Sequence, residues 1–473
     1  MPLSLIACSA LLLHLCGIAC AMHAVMRVRT SQGAIAWALG LVVMPYLTLL
    51  PYFFLGASRF RGYARLRQMN QQRRRYVARQ WPERVPYLQR HLPAPEHLQR
   101  FKAINAMLQQ PFYSGHKLRL LINGQATFEA IFEAIAQAEQ VILIQFFIIH
   151  DDDIGRRLQQ TLLEKAAAGV RICVLYDGIG SHALPRRYIE TLRAAGIRIH
   201  AFATRRWRNR FQLNFRNHRK IVLIDGWRVF LGGLNVGDEY MGKKPPLSPW
   251  RDTHMELQGP AVADAHASFL RDWRWVTGEL PPFLPPREGE GNATCLVAAT
   301  GPADRQETCS LLFVTLIHAA KTRIWLTSPY FVPDPSVFSA LRLAVMRGVD
   351  VRILIPSRPD HRVVFLASSL HAAEAHKAGI KMFRLQPGFI HQKVALIDDD
   401  TSMIGSMNLD NRSFRLNFEI GALNIDKDFA CQVETMLEHD FEQALPVTTE
   451  EYLGASFPRR LAMNIARLMG PVL

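Results

Sequence analysis

The sequence is poor in the patterns from which disulfide frameworks and structural metal sites are built. Its 473 residues include seven cysteines, Cys8, Cys16, Cys20, Cys173, Cys295, Cys309 and Cys431. The number is odd, the spacing is scattered, no C-x-x-C occurs, and three of the seven lie in an apolar N-terminal stretch. Nothing here supports a disulfide framework or a zinc site. Reduced thiols fit a catalytic body that faces the cytosol. Asp and His clusters at metal-ligand spacing are also missing. Acidic residues are scarce relative to basic ones, 40 against 56, which leaves a formal charge of +16. Between Arg59 and Arg79 there are eight arginines and no acidic residue. Such an excess implies a polyanionic partner, either nucleic acid or an anionic membrane surface.

The N-terminus favours the membrane. Residues 3–25 are almost wholly apolar, and residues 34–56 form a second uncharged run. Each is long enough to cross a hydrocarbon core as a helix of about 20 residues. The short link "MRVRTSQG" predicts a two-helix transmembrane hairpin with spans at about 3–25 and 34–56. The arginine cluster that follows belongs on the cytoplasmic side. Arg27 and Arg29 on the far side pull weakly against this. A cleaved signal peptide is disfavoured, because no Lys or Arg precedes the first run and a second run follows.

Beyond residue 110 the chain alternates strand-like and helix-like runs, and the cycle is written twice. "QVILIQFFII" (140–149), "GRRLQQTLLEKAAAG" and "VRICVLYD" are echoed by "TRIWLTSPYFV" (322–332), "VFSALRLAVMRG" and "VDVRILIPS". "AAGIRIHAF" is echoed by "KAGIKMFRL", and "HRKIVLID" (218–225) by "HQKVALID" (391–398). This duplication predicts two similar α/β units about a pseudo-twofold axis, with a Pro- and Gly-rich seam at 280–291. The expected divisions are a hairpin over 1–58, a basic linker over 59–110, and α/β domains over 111–285 and 286–473.

The repeated residues carry chemistry. His218 and Lys220 are two apart and project together from an extended segment, as do His391 and Lys393. "IVLI" and "VALI" anchor the strands, and "VFLGG" and "MIGS" read as return strands. Asn235 and Asn408 each lie 17 residues after the motif histidine, preceded by Gly232-Gly233 and Gly405-Ser406. Glycine there is expected to let an anion approach the backbone. One shared pocket would then hold two His, two Lys and two Asn, a cradle for a tetrahedral anion. One imidazole would attack phosphorus and the other protonate the departing alkoxide, the lysines standing in for a metal. Asp225 and Asp398 fall at the hairpin turns, where a structural carboxylate is expected. An imidazole also needs an acceptor for its second nitrogen. Glu419, a lone carboxylate in "LNFEIGALN", is a candidate, and Asp252 in "SPWRDTHMEL" either does the same or makes an ordinary salt bridge. "RRWRNRF" (205–211) suits nucleic acid or, beside a membrane tether, lipid headgroups. "FPRRLAMNIARLMGPVL" (457–473) is a basic amphipathic helix that either contacts membrane or caps the core.

The doubled His-x-Lys-x4-Asp motif with a downstream Gly-Gly/Ser-x-Asn resembles the phospholipase D superfamily. "NFRNHRKIVLIDG", "GGLNVGDEY", "PWRDTHMELQGPAV", "SPYFVPD" and "GSMNLDNRSFRLNFE" resemble bacterial cardiolipin synthases more narrowly. The resemblance implies two phospholipase D-like domains sharing one active site, and conversion of two phosphatidylglycerol molecules to cardiolipin and glycerol without a metal or other cofactor. It implies His218 as nucleophile, His391 as general acid and base, and Glu419 as the group that orients a histidine. Relatives place Glu where this chain has Gln145, which implies an altered acid balance in the pocket or an altered acceptor. The alternatives are a membrane-bound hydrolase using the same pair, and a non-catalytic scaffold, against which the two intact motifs argue. The expected partners are phosphatidylglycerol and other anionic phospholipids in the bacterial inner membrane, with no nucleic acid. The sequence leaves acceptor range and oligomeric state open.

Overall fold

The computed structural model describes residues 3–28, 31–56, 63, 84–202, 214–281, 284 and 289–470. The arginine cluster of 59–79, apart from Tyr63, and the stretch 205–211 lie outside the described residues.

At the N-terminus, one helix, Leu3–Arg27, covers the first expected span. It is the one described helix long and apolar enough to cross a membrane. The second expected span is not a single helix. It divides into Ser31–Val43 and Pro45–Leu55, separated at Met44. Pro45 has no N–H to offer the Leu41 carbonyl, so the helix cannot continue through it. The two pieces fold back on each other. The rings of Trp37 and Tyr52 come within 5.2 Å, whereas a straight helix would hold those positions about 22 Å apart along its axis. Thr48 Oγ1 donates to the Gly40 carbonyl at 2.9 Å across the bend. Gly17 of the first helix leaves room for the Leu41 carbonyl, which a Cβ would meet at 2.2 Å.

The duplication forecast by the sequence is visible strand by strand. In the first half, Val141–Phe146, Arg171–Asp177 and Arg198–Phe202 run parallel. From Val141–Phe146 the sheet continues antiparallel through Ile221–Ile224, Arg228–Gly232, Thr253–Gln258 and Tyr113–Ile122. The second half repeats this order with Lys381–Leu385, Asp350–Pro356, Arg323–Thr327, Val394–Ile397, Thr401–Gly405, Asn417–Ile425 and Ala293–Thr300, plus an edge strand Ala444–Pro446. The halves join where Tyr113–Ile122 pairs antiparallel with Ala293–Thr300.

Strand alternation divides the cores. Val141, Leu143, Ile221 and Leu223 face a central core, while Ile142, Ile144, Val222 and Ile224 face an outer layer of helices. In the second half Val394 and Leu396 join the same central core and Ala395 and Ile397 face outward. The central core is shared between the halves and is filled by one helix from each, Val262–Thr277 and Lys427–Glu442. Burying both faces is what makes these strands read as unbroken apolar runs. Helix starts are fixed by side-chain caps: Asp152, Asp334 and Asp426 accept from Gly155, Val337 and Phe429 N–H groups.

Candidate active site

Each His-x-Lys motif sits just before its strand, and each is reached through the other half. Arg216–Asn217 pairs parallel with Asn417–Phe418, and the His218 N–H donates to the Phe418 carbonyl at 2.9 Å. Reciprocally, Phe389–Ile390 pairs with Trp250–Arg251, and the His391 N–H donates to the Arg251 carbonyl at 2.7 Å. Local sequence creates the extended segments, and pairing across the halves fixes where their side chains stand.

The carboxylates are exchanged in the same way. His218 Nδ1 lies 3.0 Å from Glu419 Oε2, and His391 Nδ1 lies 2.7 Å from Asp252 Oδ2. Both carboxylates are fully buried. Glu419 also accepts from the hydroxyls of Ser406 and Ser413 and from Asn417 Nδ2. Asp252 also accepts from the Thr253 N–H at 2.8 Å. A proton on Nδ1 of each ring satisfies its carboxylate and leaves Nε2 with a lone pair. Neither Nε2 has a hydrogen-bond partner among the described residues.

Burial pushes both imidazoles down to about 4. For His218 the Glu419 charge opposes this and Lys220 adds to it. For His391 Lys393 adds to it and Asp252 opposes it. Burial lowers Lys393 to about 8 despite Asp252 and Glu419, and takes Lys220 well below the ordinary lysine value. Burial raises Asp252 and Glu419, but their histidines and the lysines outweigh it and hold both below the usual carboxylate range. Lys393 depresses His218, and Lys220 depresses His391. The four groups therefore share one electrostatic environment. Each ammonium donates to the carbonyl of its own motif histidine, Lys220 at 2.8 Å and Lys393 at 2.5 Å. Two further donors on each remain for a ligand. His218 and His391 are each only 8% exposed, so the opening is narrow.

The residue between His and Lys points the other way. Arg219 makes a two-bond pair with Asp272 on the helix Val262–Thr277, at 2.7 and 2.9 Å. Gln392 donates to Asp440 on the helix Lys427–Glu442 at 2.8 Å, and Arg251 completes that pair. Sequence reasoning missed these two helix carboxylates. Their signal was an Asp in the C-terminal half of each helix, in "LRDWRW" and "LEHDFE". Gln145 belongs to this buried layer, donating to Asp272 Oδ2 at 2.8 Å beside Asn217 and Tyr63. Its effect on acid balance falls on that network beneath the motif: a carboxylate there would face Asp272 directly.

Asp225 and Asp398 are the turn residues of the two hairpins, at φ of 46° and 51°. Asp225 accepts from the N–H groups of Glu139, Gln140 and Val141, all at 2.8 Å. Asp398 accepts from Lys321, Thr322 and Arg323. Each ties its hairpin to the start of the neighbouring strand, at the end remote from the imidazoles.

Two sequence expectations change. Gly233 and its neighbour do not open the backbone to an anion. A Cβ on Gly233 would meet Asp252 Oδ1 at 2.1 Å, and one on Gly232 would meet the His254 ring at 2.4 Å. Glycine is needed there because a side chain of the adjacent strand fills the space. The Asn amides are also partly engaged within the protein. Asn235 accepts from the Ile148 N–H and donates to the Tyr240 hydroxyl, and Asn408 Nδ2 donates to Asp410. Each retains one amide proton. Aromatic walls complete the site: Phe147 lies 5.1 Å from the His218 ring, and Trp250 lies 5.1 Å from the His391 ring.

Residues 131–273 and 313–441 match the family described as cardiolipin synthase, PLD-like domain, one match in each half. A cardiolipin synthase A of Pseudomonas putida is 57% identical over 468 residues, 98% of this chain and 97% of its own length. One from Pseudomonas aeruginosa is 56% identical, covering 97% of this chain and 94% of its own length. Among solved structures, the phosphatidylserine synthase of Haemophilus influenzae aligns with a TM-score of 0.63 at 14% identity, over 79% of this chain and all of the other, which shows a shared fold. With both motifs intact and the family matched in each half, the chain belongs to the cardiolipin synthase family of phospholipase D-like proteins.

Proposed function

We propose that this chain is a phosphatidyltransferase that joins two phosphatidylglycerol molecules into cardiolipin and releases glycerol. The observation that supports it most directly is the exchanged pair of carboxylates, which leaves two Nε2 atoms uncommitted in one lysine-lined site.

In the first step His218 Nε2 attacks phosphorus. The bond from phosphorus to the glycerol oxygen breaks, and His391 delivers its proton to that oxygen. The phosphatidyl group is then held through a P–N bond on His218. In the second step a hydroxyl of another phosphatidylglycerol gives its proton to His391 and attacks phosphorus. The P–N bond breaks and both histidines return to their starting states. Glu419 and Asp252 steady the imidazolium that forms on each ring in turn. The anionic phosphodiester stabilises the charged forms of Lys220, Lys393 and His391, all of which burial depresses in its absence. His218 is assigned as nucleophile from the family, since both rings are held alike.

The substrates in this reading are phosphatidylglycerol and other anionic phospholipids, not nucleic acid. The helix Leu3–Arg27 lies in the bacterial inner membrane, the α/β domains stand on its cytoplasmic side, and the eight arginines that the sequence carries over 59–79 suit the anionic headgroups there. Incubating the full chain in detergent with phosphatidylglycerol alone tests the reading. Equimolar cardiolipin and glycerol are expected. Phosphatidic acid as the main product would replace the transferase with a hydrolase.

A further inference from the structure

The helix Phe457–Leu468 has two apolar sides that face opposite ways. Met463 and Ala466 are buried, and Ala466 packs with Val332 and Ala367 of the second half. On the other side Phe457, Leu461, Ile465 and Leu468 recur at helical spacing and are 70, 49, 55 and 76% exposed. Arg459 is exposed and Arg460 half-buried on the same helix. Monomeric proteins leave such stripes open where something else covers them.

The position of the helix narrows what that is. It rests on Phe331–Val332, and that strand pairs with Leu409–Asp410, directly after Asn408. Asn411 Nδ2 ties the same strand down through the Val332 carbonyl at 3.2 Å. The stripe therefore belongs to the assembly that carries one side of the site. Two other exposed apolar residues, Ile179 and Val363, are each 47% exposed. They follow the strands Arg171–Asp177 and Asp350–Pro356, at the ends where the motifs lie. Asp177 itself accepts from the Asn217 N–H at 3.0 Å, next to His218. Apolar side chains thus crown the same end of both halves, in a chain of net charge +16 with a membrane-length helix.

We propose that the outward stripe of the helix Phe457–Leu468 lies in the interface of an anionic phospholipid leaflet and holds the mouth of the active site against the lipid surface. The apolar stripe enters the boundary between headgroups and acyl chains, and Arg460 at its flank meets lipid phosphates. The helix is both a cap on the second half and a membrane contact. The N-terminal helix keeps the chain on the membrane, and this second contact sets the orientation of the body. The inference rests on the lipid-transferring function proposed above, and its test separates the two.

The full chain is reconstituted in vesicles of phosphatidylglycerol and phosphatidylcholine containing a trace of phospholipid with a diazirine on its acyl chain. Photolabel is expected in the peptide spanning 457–468, and its absence there would overturn the proposal. Leu461→Glu combined with Ile465→Glu should lower turnover of long-chain phosphatidylglycerol in vesicles by about tenfold. Turnover of a short-chain phosphatidylglycerol dissolved as monomers, and the thermal midpoint, should remain those of the parent. Retention of both activities, or equal loss of both, would overturn the membrane contact. A parent inactive on both substrates would instead overturn the transferase reading. Lower mass of the variant by light scattering in detergent would show that the stripe joins two copies, which also overturns the proposal. If the Glu pair does not fold, Leu461→Gln with Ile465→Gln carries the same comparison.

Discussion

Asp252 and Glu419 are equivalent residues of the two halves, and each serves the histidine of the half to which it does not belong. Asp252 stands two residues before His254, which pairs with Gly232. Glu419 stands two residues before Gly421, which pairs with Gly405. The exchange means that neither half holds both a motif histidine and the carboxylate that bonds it. It also puts both imidazoles at the junction, which gives a duplicated chain one site in place of two.

Removing either carboxylate charge should therefore impair the opposite motif. Asp252→Asn and Glu419→Gln are each expected to lower kcat by about 10²–10⁴-fold with little change in KM. Gly233→Ala should act like Asp252→Asn, because its methyl would displace the Asp252 carboxylate. Steady-state kinetics on micellar phosphatidylglycerol checks this. A change confined to KM would contradict a role in holding the imidazole.

The two histidines should separate by the covalent step. With labelled phosphatidylglycerol and a rapid denaturing quench, the parent should carry label on His218. His218→Ala should carry none and have no turnover. His391→Ala should also have no steady-state turnover. Label persisting in His218→Ala would reverse the assignment of the two rings.

Asp225 and Asp398 should act on stability and leave the chemistry alone. Asp225→Ala removes the acceptor of three backbone N–H groups and places Ala at φ of 46°. A loss of about 2–4 kcal/mol is expected in chemical denaturation. Asn tolerates positive φ and keeps one acceptor oxygen, so Asp225→Asn should recover part of the loss. The kcat of the folded fraction should match the parent in both, and a selective fall in kcat would place Asp225 in the reaction.

The pH profile follows from the direction of the shifts. Burial holds Lys393 at about 8 and His218 at about 4. Lys393 must be charged and His218 neutral for attack. His391 must also carry the proton it delivers, and in the empty site it lies at about 4 like His218, so kcat/KM should peak near 4, decline as pH rises above it, and decline more steeply beyond about 8. A bound phosphodiester favours the ammonium, so the basic limb of kcat should lie at higher pH than that of kcat/KM. Coincident basic limbs would argue against contact between Lys393 and the substrate.

Chelation offers an independent check on the lysine pair as the source of positive charge. EDTA added to the full chain in detergent should leave the rate of cardiolipin formation unchanged. Strong inhibition that is reversed by a divalent cation would require a metal in the reaction.

Much of the architecture was legible because buried strands announce themselves. "VILIQF", "IVLI" and "VALI" are apolar throughout, since both of their faces are covered, and the repeat of such runs with His-x-Lys marked the duplication. The turn role of Asp225 and Asp398 was visible in the seven-residue offset from the histidines and the polar residues that follow. The second apolar run of the N-terminus was misread as a continuous span. Its composition suits a membrane, but Pro45 ends the helix whatever the hydropathy.

By itself the sequence determined the two units, their order, and the side chains able to move a proton or bind a phosphate. Those are properties of local pattern and residue chemistry. Only the tertiary structure decided that Glu419 holds His218 and Asp252 holds His391. It also decided that Gly233 makes room for a carboxylate and that Gln145 lies beneath the site in contact with Asp272. These relationships join residues of different strands and different halves, and no periodicity along the chain encodes a contact made only when two sheets close on one core.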